Sequence, residues 1–202
     1  MNNNKYFLWK VFTRCKDDII LVYIQLRRGK MHSTKIKKLV LAALLVALSL
    51  IIPISFGFLK IIVGPFTATL ASHVPLFIAM LISPKVAAIV GLGSTIGFFI
   101  TSAPVVALRA ATHIIVGYIG GKIFRKNENY KGAIAATAPI HGILEGLAII
   151  PFGIDSYTIV LVTVVGTMVH HCIDAFLAYL VARSLNKAQG KDTISILNEK
   201  AA

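Results

Sequence analysis

The sequence has little charge for its length. Only 14% of its 202 residues are Asp, Glu, Lys or Arg, whereas 56% are hydrophobic, and the mean hydropathy is +0.79. A soluble globular domain carries about 25% charged residues. This shortage excludes an ordinary water-facing surface and indicates contact with a lipid bilayer. Helices satisfy their own backbone hydrogen bonds in lipid, so we predict an all-α polytopic membrane protein.

Cysteines and catalytic motifs are also scarce. Cys15 and Cys172 lie far apart and give neither a disulfide framework nor a CxxC metal spacing. The chain has no GxxxxGK[ST], HExxH or GxSxG motif. His141, Glu145, His170 and Asp174 carry metal-ligand chemistry, but no second carboxylate lies beside Glu145 to act as a base. The sequence therefore predicts neither an enzyme nor a metal site nor a bound cofactor.

The net charge of +13 is clustered rather than spread. Lys and Arg lie between the apolar runs, and outside residues 1–30 there is no basic patch interleaved with aromatic residues. This pattern indicates membrane orientation rather than nucleic-acid binding.

The first 30 residues differ from the rest of the chain. Their apolar run, 19–26, is shorter than the roughly 20 residues that a span needs. Met31 directly precedes the first clean hydrophobic segment and is a plausible alternative start. We therefore expect a cytoplasmic extension at 1–34, a membrane domain at 35–186 and a cytoplasmic tail at 187–202. A functional amphipathic arm at the N-terminus remains the alternative.

The membrane domain contains six apolar segments separated by Pro, Gly and polar residues. They predict helices at 36–52, 66–82, 86–100, 104–122, 131–150 and 157–184. With six spans, the Lys and Arg clusters all fall on one side, and the other side holds only Lys60 and Asp155. The positive-inside rule then places both termini in the cytoplasm.

Ionisable side chains inside these helices are candidates for function, because burying them in a bilayer is costly. Arg109 and His113 share one helix face at i, i+4, and His141 and Glu145 repeat this spacing on the next helix. With His73 they could line one outward-facing cavity. The planar guanidinium of Arg109 suits a ligand carboxylate or phosphate. Alternatively, Arg109 pairs with Glu145 and only ties two helices together.

One further pair repeats the i, i+4 spacing on the last helix. Asp174 falls in the inner half of that helix, so we expect His170 and Asp174 to form an interhelical bond near the cytoplasmic half.

Three segments resemble a known family. Ala43-Leu-Leu-Val-Ala47 resembles the Ala-x-x-x-Ala motif of the S components of energy-coupling factor (ECF) vitamin transporters. The segment 66–80, FTATLASHVPLFIAM, and the segment 108–113, LRAATH, resemble the niacin-specific branch. The resemblance covers about residues 35–185.

The resemblance implies a function and partners. An S component binds its vitamin from outside and delivers it inward with a transmembrane coupling subunit and two ATPases. It implies that Ala43 and Ala47 contact the coupling subunit and that segment 55–64 is the mobile first loop. For niacin, Arg109 would meet the carboxylate, while His113, His73 and Glu145 would address the ring nitrogen. The aromatic residues available for stacking are Phe56, Phe58, Phe66, Phe152 and Tyr157.

The sequence is also compatible with other assignments. The ligand could be another vitamin, of the riboflavin, folate, thiamine or pyridoxine type. The chain could be a stand-alone secondary carrier, or a structural membrane protein without a ligand.

Overall fold

The computed structural model of the chain describes residues 34–64 and 66–188. Contacts between Cα atoms divide the chain into two units, residues 1–37 and 38–202. The first unit is described only where its last residues begin a helix. The predicted extension, the Met31 start and most of the predicted tail lie outside the described residues.

Helices dominate the described part of the chain, with one short hairpin between the first two. The elements are α1 (Thr34–Ser55), a 3-10 turn (Gly57–Leu59), β1 (Lys60–Val63), β2 (Phe66–Thr69), α2 (Val74–Ile82), α3 (Pro84–Thr101), α4 (Pro104–Asn127), α5 (Tyr130–Ile149), a second 3-10 turn (Ile150–Phe152), a π-helical segment (Thr158–Val164) and α6 (Val165–Ala188).

Five segments within residues 34–64 and 66–188 are long and apolar enough to cross a membrane. They are Lys38–Ser55, Pro84–Thr101, Pro104–Asn127, Tyr130–Phe152 and Thr158–Ala188. This confirms the prediction of an all-α, multi-pass membrane protein.

The predicted helix at 66–82 is wrong in its first half. Phe66–Thr69 pairs with Lys60–Val63 as an antiparallel hairpin, and α2 begins only at Val74. Ala71 adopts the left-handed conformation, with φ of 68°, which ends the strand and turns the chain. Pro75 then occupies the first turn of α2, where its missing N–H costs nothing. The predicted mobile loop at 55–64 likewise contains a 3-10 turn and strand β1.

Helix α2 is the centre of the hydrophobic core. Every residue from Pro75 to Ile82 is buried, so this helix is apolar on all sides. Its nine residues span about 13 Å at 1.5 Å per residue, which is less than half of the hydrocarbon thickness. The strong apolar signal of this segment therefore reflects burial inside the protein rather than contact with lipid.

Helix ends follow local side-chain chemistry. Ser83 caps α3 by accepting a hydrogen bond from the Val86 N–H, and Asn129 caps α5 by accepting one from the Gly132 N–H. Pro104 occupies the first turn of α4, and Glu128 ends that helix in the left-handed conformation. α4 therefore runs to Asn127, five residues beyond its predicted end.

The last predicted helix, 157–184, starts differently. Residues Thr158–Val164 form the π-helical segment, and α6 then continues to Ala188.

The loop before this segment holds Asp155. Hydrogen bonds from Thr158 hold the pKa of the exposed Asp155 carboxyl below its ordinary value.

Close helix packing positions the polar residues of α4. A Cβ atom at Gly91 of α3 would lie 2.7 Å from the backbone of His113, and one at Gly117 would lie 2.7 Å from the Leu76 side chain. Glycine therefore lets the backbones of α3 and α4 approach closely and makes room on α4 for the Leu76 side chain of α2. The close approach at Gly91 positions His113 against α3.

Candidate ligand-binding site

The structure brings all five predicted site residues into one buried cluster. Arg109 and His113 come from α4, His141 and Glu145 from α5, and His73 from the residue that precedes α2. None of the five is more than 4% exposed. The i, i+4 spacing on each helix therefore directs both members of each pair toward the same interior point.

Arg109 forms a buried ion pair with Glu145. Its Nε donates to Oε2 at 2.9 Å, and its Nη2 donates to the same oxygen. Thr167 of α6 also donates to Oε2. The pairing that the sequence left as an alternative is thus present, and it links α4, α5 and α6. Removing either partner of a buried ion pair leaves an uncompensated charge inside the protein and lowers its stability.

The outer side of Arg109 faces the hairpin. Its Nη1 and Nη2 make long contacts of 3.5 and 3.4 Å with Oγ1 and the carbonyl of Thr67 in β2. The guanidinium carbon lies 5.1 Å from the ring centroid of Phe66, within the range of a cation–π contact. Phe66 is the buried member of the predicted stacking set, whereas Phe56, Phe58, Phe152 and Tyr157 are exposed.

Histidines occupy the other side of the cluster. His73 Nε2 lies 2.9 Å from His113 Nε2, and His113 Nδ1 lies 3.0 Å from Ser94 Oγ on α3. His141 Nε2 lies 3.3 Å from Glu145 Oε1. Thus Oε2 of Glu145 meets the arginine while Oε1 faces the imidazoles.

Asp174 and His170, for which an interhelical bond near the cytoplasmic half was predicted, lie in the same cluster as the five site residues. Asp174 accepts hydrogen bonds from the backbone N–H groups of Ala71 and His73 at 2.8 and 2.9 Å, and it contacts His73 Nδ1 at 3.0 Å. His170 Nε2 lies 3.3 Å from Ser72 Oγ. The predicted bond between α6 and another element therefore exists, and that element is the turn before α2. The left-handed conformation of Ala71 places this turn, and with it His73, against α6.

Several polar residues of the cluster had not been predicted. They are Thr67, Ser72, Ser94, Thr137, Thr167 and His171. His171 Nδ1 lies 3.0 Å from His141 Nδ1, and its position one residue after His170 was an available signal. The Ser and Thr residues gave no signal, because such residues are common throughout membrane helices.

A small cavity opens beside Arg109. It is lined by β2, the turn before α2, Arg109, His113, Glu145 and His170, together with Phe98 and Val106. It has room for about one water molecule. A ligand with an aromatic ring therefore requires the lining to move, and the hairpin is the part of the lining that carries an exposed strand, β1.

The two alanines of the predicted partner contact lie on the outside of α1. Ala43 and Ala47 are exposed, whereas Ala42 and Leu45 on the opposite face are buried. This face of α1 presents small side chains to its surroundings.

The chain has a relative of known function. No family model matches it, and no solved structure matches it. It is 35% identical over 171 residues to the niacin transporter NiaX of Lactococcus lactis subsp. cremoris (strain MG1363). The match covers 76% of this chain and 77% of the relative, which is a transporter rather than an enzyme. Identity of this extent, together with the five long apolar helices, shows that the chain is a multi-pass membrane protein that belongs to the niacin-type family of ECF S components.

Proposed function

We propose that the chain is the substrate-binding subunit of an ECF importer for niacin. The observation that carries the proposal is the buried Arg109–Glu145 pair, which opens onto a cavity lined by histidines. The niacin transporter NiaX supports the choice of ligand. Arg109, His113, His73, His141 and Glu145 are the residues that we assign to the binding site.

The shape of the vitamin fits the spacing of these groups. Nicotinate carries its carboxylate meta to the nitrogen of a pyridine ring. Arg109 and His113 are separated by about 6 Å along α4, at 1.5 Å per residue. A carboxylate on the guanidinium therefore leaves the ring nitrogen near the imidazoles of His113 and His73, which lie 2.9 Å apart.

Glu145 stands where a ligand carboxylate would bind. It satisfies Arg109 in this structure, while the contacts of Arg109 with Thr67 are long. We propose that nicotinate exchanges with the Thr67 contacts and shares the guanidinium with Glu145. Because β2 carries Thr67 and Phe66, ligand entry then moves the hairpin. The hairpin is thus the mobile segment that the resemblance places in the first loop.

The proposal includes six crossings with both termini in the cytoplasm. Helix α2 is too short to cross alone, but β2 adds about 13 Å at 3.3 Å per residue. The lengths of β2 and α2 together come to about 27 Å, close to the roughly 30 Å hydrocarbon core. We therefore propose that the hairpin and α2 together make the second crossing, which keeps the Lys and Arg clusters on one side.

Single cysteines placed on either side of this segment test the crossing. Cys15 and Cys172 are first replaced by serine. Cysteines at Phe58 and Lys85, both exposed, are expected to react with an impermeant reagent from outside and from inside, respectively. Positions Asn127 and Asp155, which flank the long helix α5, serve as the control for orientation. Labelling of Phe58→Cys and Lys85→Cys from the same side would show that this segment does not cross.

Dependence on partners tests the transport role. Labelled nicotinate is offered to cells that make this chain with or without an ECF coupling subunit and its two ATPases. An S component alone has no energy source, so we expect accumulation only when all four proteins are present. Accumulation by the chain alone would assign it instead to the stand-alone secondary carriers.

A further inference from the structure

Four side chains of the cluster bring metal-ligand atoms together. His73, His113, His141 and Glu145 each offer one such atom, and these atoms all lie within 4.8 Å of one another. The close contacts among them join the Nε2 atoms of the histidines and Oε1 of Glu145. Three of the separations are 2.9, 3.8 and 3.3 Å, for His73–His113, His113–Glu145 and His141–Glu145. A tetrahedral ion with bonds of about 2.0–2.1 Å has ligands about 3.3 Å apart. The four atoms therefore surround a space of suitable size for such an ion.

The other ring nitrogen of each histidine is held in place. His73 Nδ1 contacts Asp174, His113 Nδ1 contacts Ser94, and His141 Nδ1 contacts His171, all at 3.0 Å. A proton on each Nδ1 leaves the three Nε2 lone pairs free to bind an ion. Histidines that bind metals show this arrangement, because an outer hydrogen bond fixes both the tautomer and the orientation of the ring.

His141 supplies an independent observation. Its side chain is fully buried, and its Nε2 has no hydrogen-bond partner in the part of the chain that the structure describes. The nearby Glu145 Oε1, at 3.3 Å, does not meet the geometry of a hydrogen bond. A buried polar atom without a partner is uncommon and calls for an explanation, of which a bound ion is one.

The charge of the cluster points the same way. Arg109 is the one permanent cation of the cluster among the described residues, and the cluster also holds two buried carboxylates, Glu145 and Asp174. With neutral imidazoles the cluster carries one net negative charge, which opposes entry of an anionic ligand. A divalent cation would reverse this sign and attract a carboxylate.

We propose that His73, His113, His141 and Glu145 bind one divalent transition-metal ion of the zinc type beside the ligand cavity. Imidazole-rich sites with one carboxylate suit zinc, nickel and copper rather than magnesium or calcium. The sequence analysis noted the ligand chemistry of His141 and Glu145 but predicted no metal site, because the four ligands come from three separate elements. The site is independent of the identity of the vitamin, since its occupancy is measured without any vitamin present.

Metal content of the purified protein tests this proposal. The full chain, carrying an affinity tag without histidine, is purified in detergent, stripped with a chelator, supplied with Zn²⁺ and freed of excess metal. Mass spectrometry of the elements is expected to find about one zinc ion per chain. His141→Gln and His113→Gln are each expected to lower this content about tenfold or more. His170→Gln, which changes a neighbouring imidazole outside the four-atom set, is expected to keep it.

Other outcomes are equally decisive. A wild-type protein with far less than one ion per chain would overturn the proposal, as would a monodisperse His141→Gln variant that retains the wild-type content. Loss of zinc in His170→Gln but not in His141→Gln would assign the ion to His73, His170 and Asp174 instead. Cobalt loading of the wild type decides the question even if the variants do not fold. Four-coordinate Co²⁺ gives strong visible absorption, and its absence would contradict the site.

Discussion

Replacing Arg109 with lysine is expected to weaken nicotinate binding about 100-fold. Lysine keeps the positive charge beside Glu145, so the variant avoids leaving a buried carboxylate without a partner. It removes the planar fork, and a point charge cannot serve Glu145 and a ligand carboxylate together. Loss of one charge-assisted hydrogen bond costs about 1.5–3 kcal/mol, which corresponds to about 10- to 150-fold in affinity. Titration calorimetry of the purified variant measures the change.

Glu145→Gln is expected to increase the preference for nicotinate over nicotinamide, whereas Arg109→Lys is expected to decrease it. It removes the carboxylate that competes for Arg109, so an anionic ligand becomes the natural partner of the guanidinium. The preference for nicotinate over nicotinamide should therefore fall in Arg109→Lys and rise in Glu145→Gln. Arg125→Lys, at an exposed position near the end of α4, is the matched control and should leave both affinities unchanged.

A purely structural ion pair gives a different pattern. Both variants would then lower thermal stability and yield, and neither would change the ratio of acid to amide affinity. An unchanged ratio in a well-folded Arg109→Lys protein would remove Arg109 from the binding site.

Replacing Ala47 with phenylalanine is expected to reduce niacin uptake about tenfold or more and to leave binding nearly intact. Ala47 is exposed on α1, so a larger side chain meets no atom inside the subunit. Helices associate in lipid through close contact of small residues, and a bulky ring prevents that approach. Uptake is measured in cells that contain the coupling subunit and ATPases, and binding is measured on the isolated chain. Ala43→Phe should behave in the same way.

Leu48→Phe is the control for this experiment. Leu48 is also exposed on α1 but lies about 100° around the helix from Ala47. It should affect neither uptake nor binding. If Ala47→Phe reduces binding and uptake together, the residue packs within the subunit and the proposed coupling face is wrong.

The sequence was informative where periodicity and burial point to the same conclusion. The i, i+4 pairs on α4 and α5 predicted that Arg109, His113, His141 and Glu145 share a site, and the structure places them together. This succeeds because a charged residue in an apolar helix has few stable positions other than the protein interior. The resemblance of two short segments to niacin-type S components was confirmed by the relative.

Other features depend on tertiary structure that no local pattern reveals. The segment FTATLA reads as the start of a helix, yet β2 forms there because it pairs with β1. The turn that follows uses Ala71 at positive φ, a conformation that sequence signals assign to glycine. That turn brings His73 to Asp174 and to His113, so the convergence of the histidines could not be predicted from spacing alone.

Titration of the purified wild-type chain with nicotinate and, in parallel, with nicotinamide tests the central claim most directly. The two molecules share a ring and a ring nitrogen and differ in the charge that Arg109 is proposed to recognise. We expect one nicotinate per chain, bound about 100-fold more tightly than the amide, in line with the charge-assisted contact. Equal affinity for both molecules, or no binding of nicotinate, would contradict the proposal that this cluster recognises the carboxylate of niacin.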